Sequence, residues 1–272
     1  MAINLIKIFT QLNDERKIMQ KINIKKDWEF NTLEIYNYNK SGPYDLYFNF
    51  IKDNANYLDG DIIEAGVFRG RTLLSVGILL AEMGSDKKIY GFDSFSGFPP
   101  IYEPQDEINA FKKLFDSKMI SKDHFEAVQK NLYFKNVLID LKTNSSSISK
   151  SGDFSNTNKA DLLKKIDLLG LKNIILVEGP FSTTMIPENA PKNIFAAMID
   201  CDLYSSYLQT FGFIWPNLIK DGICQLDEYY SLKFPGARIA TNEFLKNCNH
   251  ELIMSPLNEH DEFERWAVKK LS

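Results

Sequence analysis

Asp227 and Glu228 follow Asp200 by 27 and 28 positions, and each group of acids closes an apolar run, Ile194–Ile199 before Asp200 and Gly222–Leu226 before Asp227. If those runs are neighbouring strands, the carboxylates of Asp200, Asp227 and Glu228 meet at the strand ends. Carboxylates so placed repel and raise one another's pKa. A hard divalent cation, which prefers oxygen ligands, removes that conflict. It also lowers the pKa of a bound hydroxyl, as it does for water. Asp202 reads instead as a cap for the helix that follows.

A second constellation sits earlier, in Glu64-Ala65-Gly66-Val67-Phe68-Arg69-Gly70-Arg71-Thr72. Gly66 and Gly70 permit a sharp turn and close approach of a ligand to the backbone. The helix beginning after them offers free N–H groups to an anion. The spacing is E-x-G-x-x-x-G and not the G-x-G-x-x-G of dinucleotide folds. Asp93 ends the next strand, with Ser94 after it, where a carboxylate accepts hydrogen bonds from both ribose hydroxyls. Glu178 and Phe181, after a third strand, stand where a base would lie. A nicotinamide cofactor satisfies several of these features, so alone they leave the cofactor open.

Positioning such residues takes apolar strands that alternate with helices. The expected strands are 62–66, 88–93, 173–177, 194–199 and 222–226, with a late one at 264–269. Helices are expected at 71–83, 160–169 and 208–218, the last bent near Pro216. This alternation predicts an α/β fold with a mostly parallel central sheet covered by helices on both faces. In such sheets ligands bind outside the carboxyl ends of the strands. Glu64, Asp93, Glu178, Asp200 and Asp227 would all lie along that edge. Residues 1–57 read as a helical N-terminal extension and 58–272 as the main domain. The Ser-, Asn- and Lys-rich stretch 142–158 reads as a polar lid or insertion.

Composition narrows the function classes. The chain has 272 residues and a formal net charge of −4, which argues against a nucleic-acid surface. No apolar run reaches the length of a membrane span. Cys201, Cys224 and Cys248 match neither a zinc site nor a disulfide framework and suit a reduced, cytoplasmic setting. His124, His250 and His260 belong to no motif. A homo-oligomer is compatible with the sequence.

The motifs together resemble the macrocin O-methyltransferase family. They are Gly60-Asp-Ile-Ile-Glu-Ala-Gly-Val-Phe-Arg-Gly70, Tyr90-Gly-Phe-Asp-Ser-Phe-Ser-Gly97, Ile199-Asp-Cys-Asp-Leu-Tyr-Ser-Ser206 and Gly222-Ile-Cys-Gln-Leu-Asp-Glu-Tyr229. Pro235-Gly236, with Ala240 and Phe244, also fits. The resemblance implies a Rossmann-like class I methyltransferase fold, S-adenosylmethionine as donor, magnesium, and a sugar or other natural-product or glycan hydroxyl as acceptor. It implies that Gly66 and its loop (Glu64, Ala65, Arg69, Thr72) hold the methionine part, with Asp93 and Ser94 on the ribose. Asp200, Asp227 and Glu228 would be metal ligands, with Asp200 helping to remove the acceptor proton. Where the family usually carries two aspartates, this chain has Asp227-Glu228, and residues 1–57 match no family motif. The alternatives are an NAD(P)-dependent oxidoreductase, which the glycine spacing and the lack of a Tyr/Lys or His relay disfavour, and a catalytically silent scaffold.

Overall fold

The computed structural model describes residues 24–99, 103–139, 153–255 and 263–272. Its centre is a seven-stranded sheet in the order β3-β2-β1-β4-β5-β7-β6. The strands are β1 Asp61–Ala65, β2 Ile89–Asp93, β3 Ile174–Glu178, β4 Ile194–Ile199, β5 Leu218–Leu226, β6 His250–Met254 and β7 Trp266–Lys270. The first five in chain order pair in parallel, and β7 runs antiparallel to both β5 and β6. The expected mostly parallel sheet is therefore present. The chain winds outward from β1 to β3 and then returns to lay β4 against the other side of β1. That reversal opens the crevice between the carboxyl ends of β1 and β4, where this fold class binds ligands.

Helices cover both faces. On one side α1 (Asp27–Leu33), α2 (Asp45–Asn54), α3 (Arg71–Glu82) and α6 (Lys159–Leu168) pack over the sheet. Nine consecutive residues of α3, Thr72 to Leu80, are buried, which is why its sequence is apolar all round. Phe30, Tyr47, Phe48 and Ile51 share one apolar cluster with Ile62, Leu73, Leu74 and Met198, so the described part of the N-terminal segment is built into the core. On the other side α8 (Tyr204–Ile214) and α9 (Pro235–Leu245) cover β4 and β5, the short helix α7 (Phe181–Thr184) packing beside α8. Helices α4 (Ala110–Asp116) and α5 (Lys122–Ile139) add a small cluster around Phe111 and Val128.

Three elements differ from the sequence expectation. Strand β5 begins four residues before Gly222 and passes through a bulge at Lys220-Asp221-Gly222: Asp221 has φ +65° and the register to β4 shifts there. Helix α8 stops at Ile214 instead of bending through Pro216: Trp215 keeps helical angles (φ −57°, ψ −40°), and Pro216, with no backbone N–H to donate, does not continue the ladder. Strand β6 went unread because it is a half-exposed edge strand with His250 and Glu251 in it.

Candidate active site

The crevice is built by backbone contact between two loops. Beyond β4, the Asp200 amide donates to Ala65 O at 2.9 Å, and beyond β5 the Asp227 amide donates to Ile199 O at 3.0 Å. These bonds continue the ladder one step past the strands, so the acids emerge side by side. Gly66 turns away at φ +86°, and a Cβ there would lie 1.6 Å from the Asp200 carbonyl oxygen. Glycine is thus required for the approach of the two loops. Gly70, at φ +79°, has a different neighbour: its missing side chain makes room for Leu162 of α6.

Asp93 anchors the glycine turn. One carboxylate oxygen accepts the Val67 and Phe68 amides, both at 2.8 Å, and the other accepts the Phe95 amide at 2.6 Å. Phe68 and Phe95 have φ of +50° and +49°, uncommon for aromatic residues, and their amides are held by the same carboxylate. A carboxylate offers about four acceptor sites, so three amides leave one for a ligand. Asp93→Ala is therefore expected to weaken S-adenosylhomocysteine binding by about 1–3 kcal/mol, with a lower unfolding temperature from the loosened turn. Calorimetry and a thermal melt measure the two effects, and an unchanged dissociation constant would count against the assignment.

The acids converge as a cluster. One oxygen each from Asp200, Asp202 and Glu228 lie within 4.8 Å of one another. Burial raises the Asp200 carboxyl well above its usual range, with further upward pushes from Asp227 and Asp202. Burial and the Asp227 charge lift Asp202 to about 8, although Lys233 opposes this. Glu228 is raised well above its usual range by burial and by all three neighbours. It accepts a hydrogen bond from the Tyr207 hydroxyl at 2.5 Å. Asp227 lines the same cavity, but one of its oxygens, Oδ1, accepts the Tyr44 hydroxyl at 2.6 Å and faces Arg265 at 3.6 Å. Oxygen-only donors of one charge sign, crowded and partly dehydrated, are the donor set that fits a hard divalent cation.

Asp202 joins the cluster because another residue takes the capping role expected of it. The Tyr204 amide at the start of α8 donates to the buried Asp106 at 2.8 Å. Asp202 itself sits at φ +60°. Gly236 of α9 admits the Asp106 carboxylate, since a Cβ would lie 1.9 Å from its oxygen.

Above the acids lies a cavity of about 1030 Å³, lined among others by Gly66, Asp93, Ser94, Phe181, Asp200, Asp202, Asp227, Glu228 and Tyr230. Residues 153–158 are the described part of the expected lid or insertion, and Phe154 among them lines the cavity; 142–152 lie outside the described residues. The Phe98 amide donates to Asp153 O at 2.9 Å, and the Thr157 hydroxyl donates to Phe68 O. The Phe154 ring meets Phe68 and Phe98 edge-on.

Gly66, Asp93, Ser94, Asp200, Asp227 and Glu228 of the expected site residues are brought together on this cavity; Glu64, Ala65, Arg69, Thr72 and Glu178 are not among its lining. Glu64 is 1% exposed and lies beneath the turn, where the Leu73 amide of α3 binds its carboxyl and burial pushes its pKa well up. It occupies a helix-start amide that the sequence left free for an anion. Ala65 is a buried strand residue and Thr72 is buried in α3. The Arg69 guanidinium turns to Asn156 O and Glu34. Glu178 pairs with Lys159 at 3.2 Å on the surface. Of the tyrosines near the acids, Tyr230 lines the cavity and stacks on His124, whereas Tyr229 packs against Arg238 and Trp266.

The Macrocin-O-methyltransferase (TylF) family matches residues 49–141 and 121–268. The chain belongs to this family. The family match runs through both loops of the crevice and through all four clustered acids, and it begins just after Tyr44. A mycinamicin III 3''-O-methyltransferase from Micromonospora griseorubida is 25% identical over 186 residues, 68% of this chain and 60% of that protein. The chain thus spans about 60% of the length of that curated relative. The O-methyltransferase NovP superposes with a TM-score of 0.59 at 17% identity, over 85% of this chain and 79% of that one. The calicheamicin methyltransferase CalS11 does so with 0.53 at 19% identity, over 89% and 79%. The family's fold, a Rossmann-like class I methyltransferase, is the one described above.

Two residues of this site were missed by the sequence reading. Asp202 carried a signal, its place two residues after Asp200, that helix capping explained better. Tyr44 carried none, because 183 positions separate it from Asp227. No helix among the described residues is long and apolar enough to cross a membrane.

Proposed function

We propose that this member of the macrocin O-methyltransferase family transfers the methyl group of S-adenosylmethionine to a hydroxyl of a sugar or another small natural-product or glycan acceptor. The observation that carries the reading is the contact of the Gly66 turn with Asp200: the loop suited to the donor and the loop bearing the acids touch at one point of one cavity. Gly66, Asp93 and Ser94 would hold the methionine and ribose parts, and Phe181 is the cavity-lining residue beside β3 suited to stack on the adenine. The acceptor would lie towards Tyr230 and Phe234, aromatic residues on which a sugar ring can pack.

In the reaction the acceptor oxygen attacks the sulfonium methyl in line, at near-contact distance. The new bond is C–O and the broken bond is C–S, whose electron pair leaves with S-adenosylhomocysteine. The acceptor proton would pass to the Asp200 carboxylate, which lines the cavity against the Gly66 turn. Asp200 and Glu228, with Asp202 and Asp227 beside them, would hold a divalent cation, for which magnesium is the hard-ligand candidate. That cation supplies charge compensation to the acids and acidity to the acceptor hydroxyl. The acidic net charge supports a small-molecule acceptor over nucleic acid, and three unpaired cysteines suit a cytoplasmic enzyme. The test is incubation with isotopically labelled S-adenosylmethionine and a panel of free, nucleotide-linked and glycoside-bound sugars. Label is expected in at least one acceptor as an alkali-stable methyl ether. Label recovered as an alkali-labile ester or on nitrogen would contradict the reading.

A further inference from the structure

Tyr44 precedes the residues matched to the family and precedes α2, yet its hydroxyl reaches the acidic cluster at the far end of β5. We propose that Tyr44 is a positioning residue for the cation site: by holding Oδ1 of Asp227 it fixes how that carboxylate stands beside the cluster. This rests on the reading of the acids as a cation site and adds to it a residue from the N-terminal segment.

The geometry is specific. The Tyr44 hydroxyl and the Arg265 guanidinium both meet Asp227 at Oδ1, at 2.6 and 3.6 Å. The Tyr44 ring is held on two sides. Tyr36 meets it edge-on with ring centroids 4.9 Å apart, and Arg265 lies over it at 5.9 Å. Tyr36 is in turn held by the Arg71 guanidinium at 4.2 Å, and its carbonyl accepts the Ser75 hydroxyl at 2.8 Å. Both Arg71 and Ser75 belong to α3, the helix that follows the Gly66 turn. A rigid chain of contacts therefore runs from the donor-side helix through Tyr36 and Tyr44 to Asp227. At 5% exposure Tyr44 is dry.

A packing role and a positioning role differ in what removal of one oxygen does. Tyr44→Phe keeps the ring, its contact with Tyr36 and its place under Arg265, and deletes only the donor to Asp227. An unrestrained carboxylate must lose rotational freedom before it can ligate, and a hydrogen bond to a charged group is a strong one. Mn²⁺ affinity, read by the loss of the free-ion paramagnetic resonance signal, is therefore expected to fall about tenfold in Tyr44→Phe. S-adenosylhomocysteine affinity should stay within twofold of wild type. Mn²⁺ affinity within twofold of wild type would overturn the proposal while leaving the cation reading intact. Wild-type protein that binds S-adenosylhomocysteine but no Mn²⁺ would overturn both. A parallel loss of S-adenosylhomocysteine affinity would show a general structural role and would also overturn it.

Discussion

Asp200→Asn is expected to lower turnover by about three orders of magnitude, the middle of the range for loss of a positioned base, while leaving S-adenosylhomocysteine affinity nearly unchanged. Asparagine keeps the shape of the side chain, so the Asp200 amide can still reach Ala65 and its carbonyl can still sit over Gly66. What is lost is the negative charge at the centre of the cluster, and with it both the proton acceptor and one ligand for the cation. Exhaustive chelation of the wild-type protein should act the same way, and magnesium should restore the rate. Glu228→Asp should retain part of the activity, because it restores the pair of aspartates usual in the family. Single-turnover assays with a responsive acceptor measure all of these. Turnover that survives chelation but not Asp200→Asn would leave Asp200 as a base acting without a cation.

A methyl group at Gly66 should do more damage to the fold than any of the site substitutions. In Gly66→Ala the new Cβ would fall 1.6 Å from the Asp200 carbonyl oxygen and 2.6 Å from its carbon, at φ +86°. The obstacle is backbone in the sheet ladder, so it cannot rotate aside as a side chain would. Overpacking and left-handed strain together should cost about 3–5 kcal/mol, roughly 10 °C in the unfolding midpoint for a domain of this size. Gly84→Ala separates the two contributions. Gly84 has a similar φ of +64° with nothing within 4 Å of the missing Cβ, so only the conformational strain of about 1 kcal/mol should remain. Equal melting temperatures for the two variants would show that the loops are free to part.

The strands of this protein are legible where burial is complete on both faces. Ile194–Ile199 is buried at every position and was read to the residue, because a parallel strand between helix layers has no polar alternation to confuse it. His250–Met254 alternates weakly at an edge and escaped. The acids show a different limit. Each stands at or near a strand end, so their shared edge was legible, but strand order and side-chain direction decide which of them reach the cavity. Glu64 precedes the turn by two residues and points to the Leu73 amide under α3, and Glu178 is drawn to Lys159 on the surface. Asp106, Asp202 and Tyr44 act through partners 98, 26 and 183 positions away. Separations of that size follow from the packing of α2, α8 and α9 on the sheet, and no local pattern in the sequence records them.

Calorimetric titration of the wild-type protein with S-adenosylhomocysteine asks whether the Gly66–Asp93 crevice binds the methyl donor. Saturable one-to-one binding in the micromolar range is expected, weakened in Asp93→Ala, with no heat on titration with NAD. Saturable binding of NAD together with no response to S-adenosylmethionine or S-adenosylhomocysteine would contradict it.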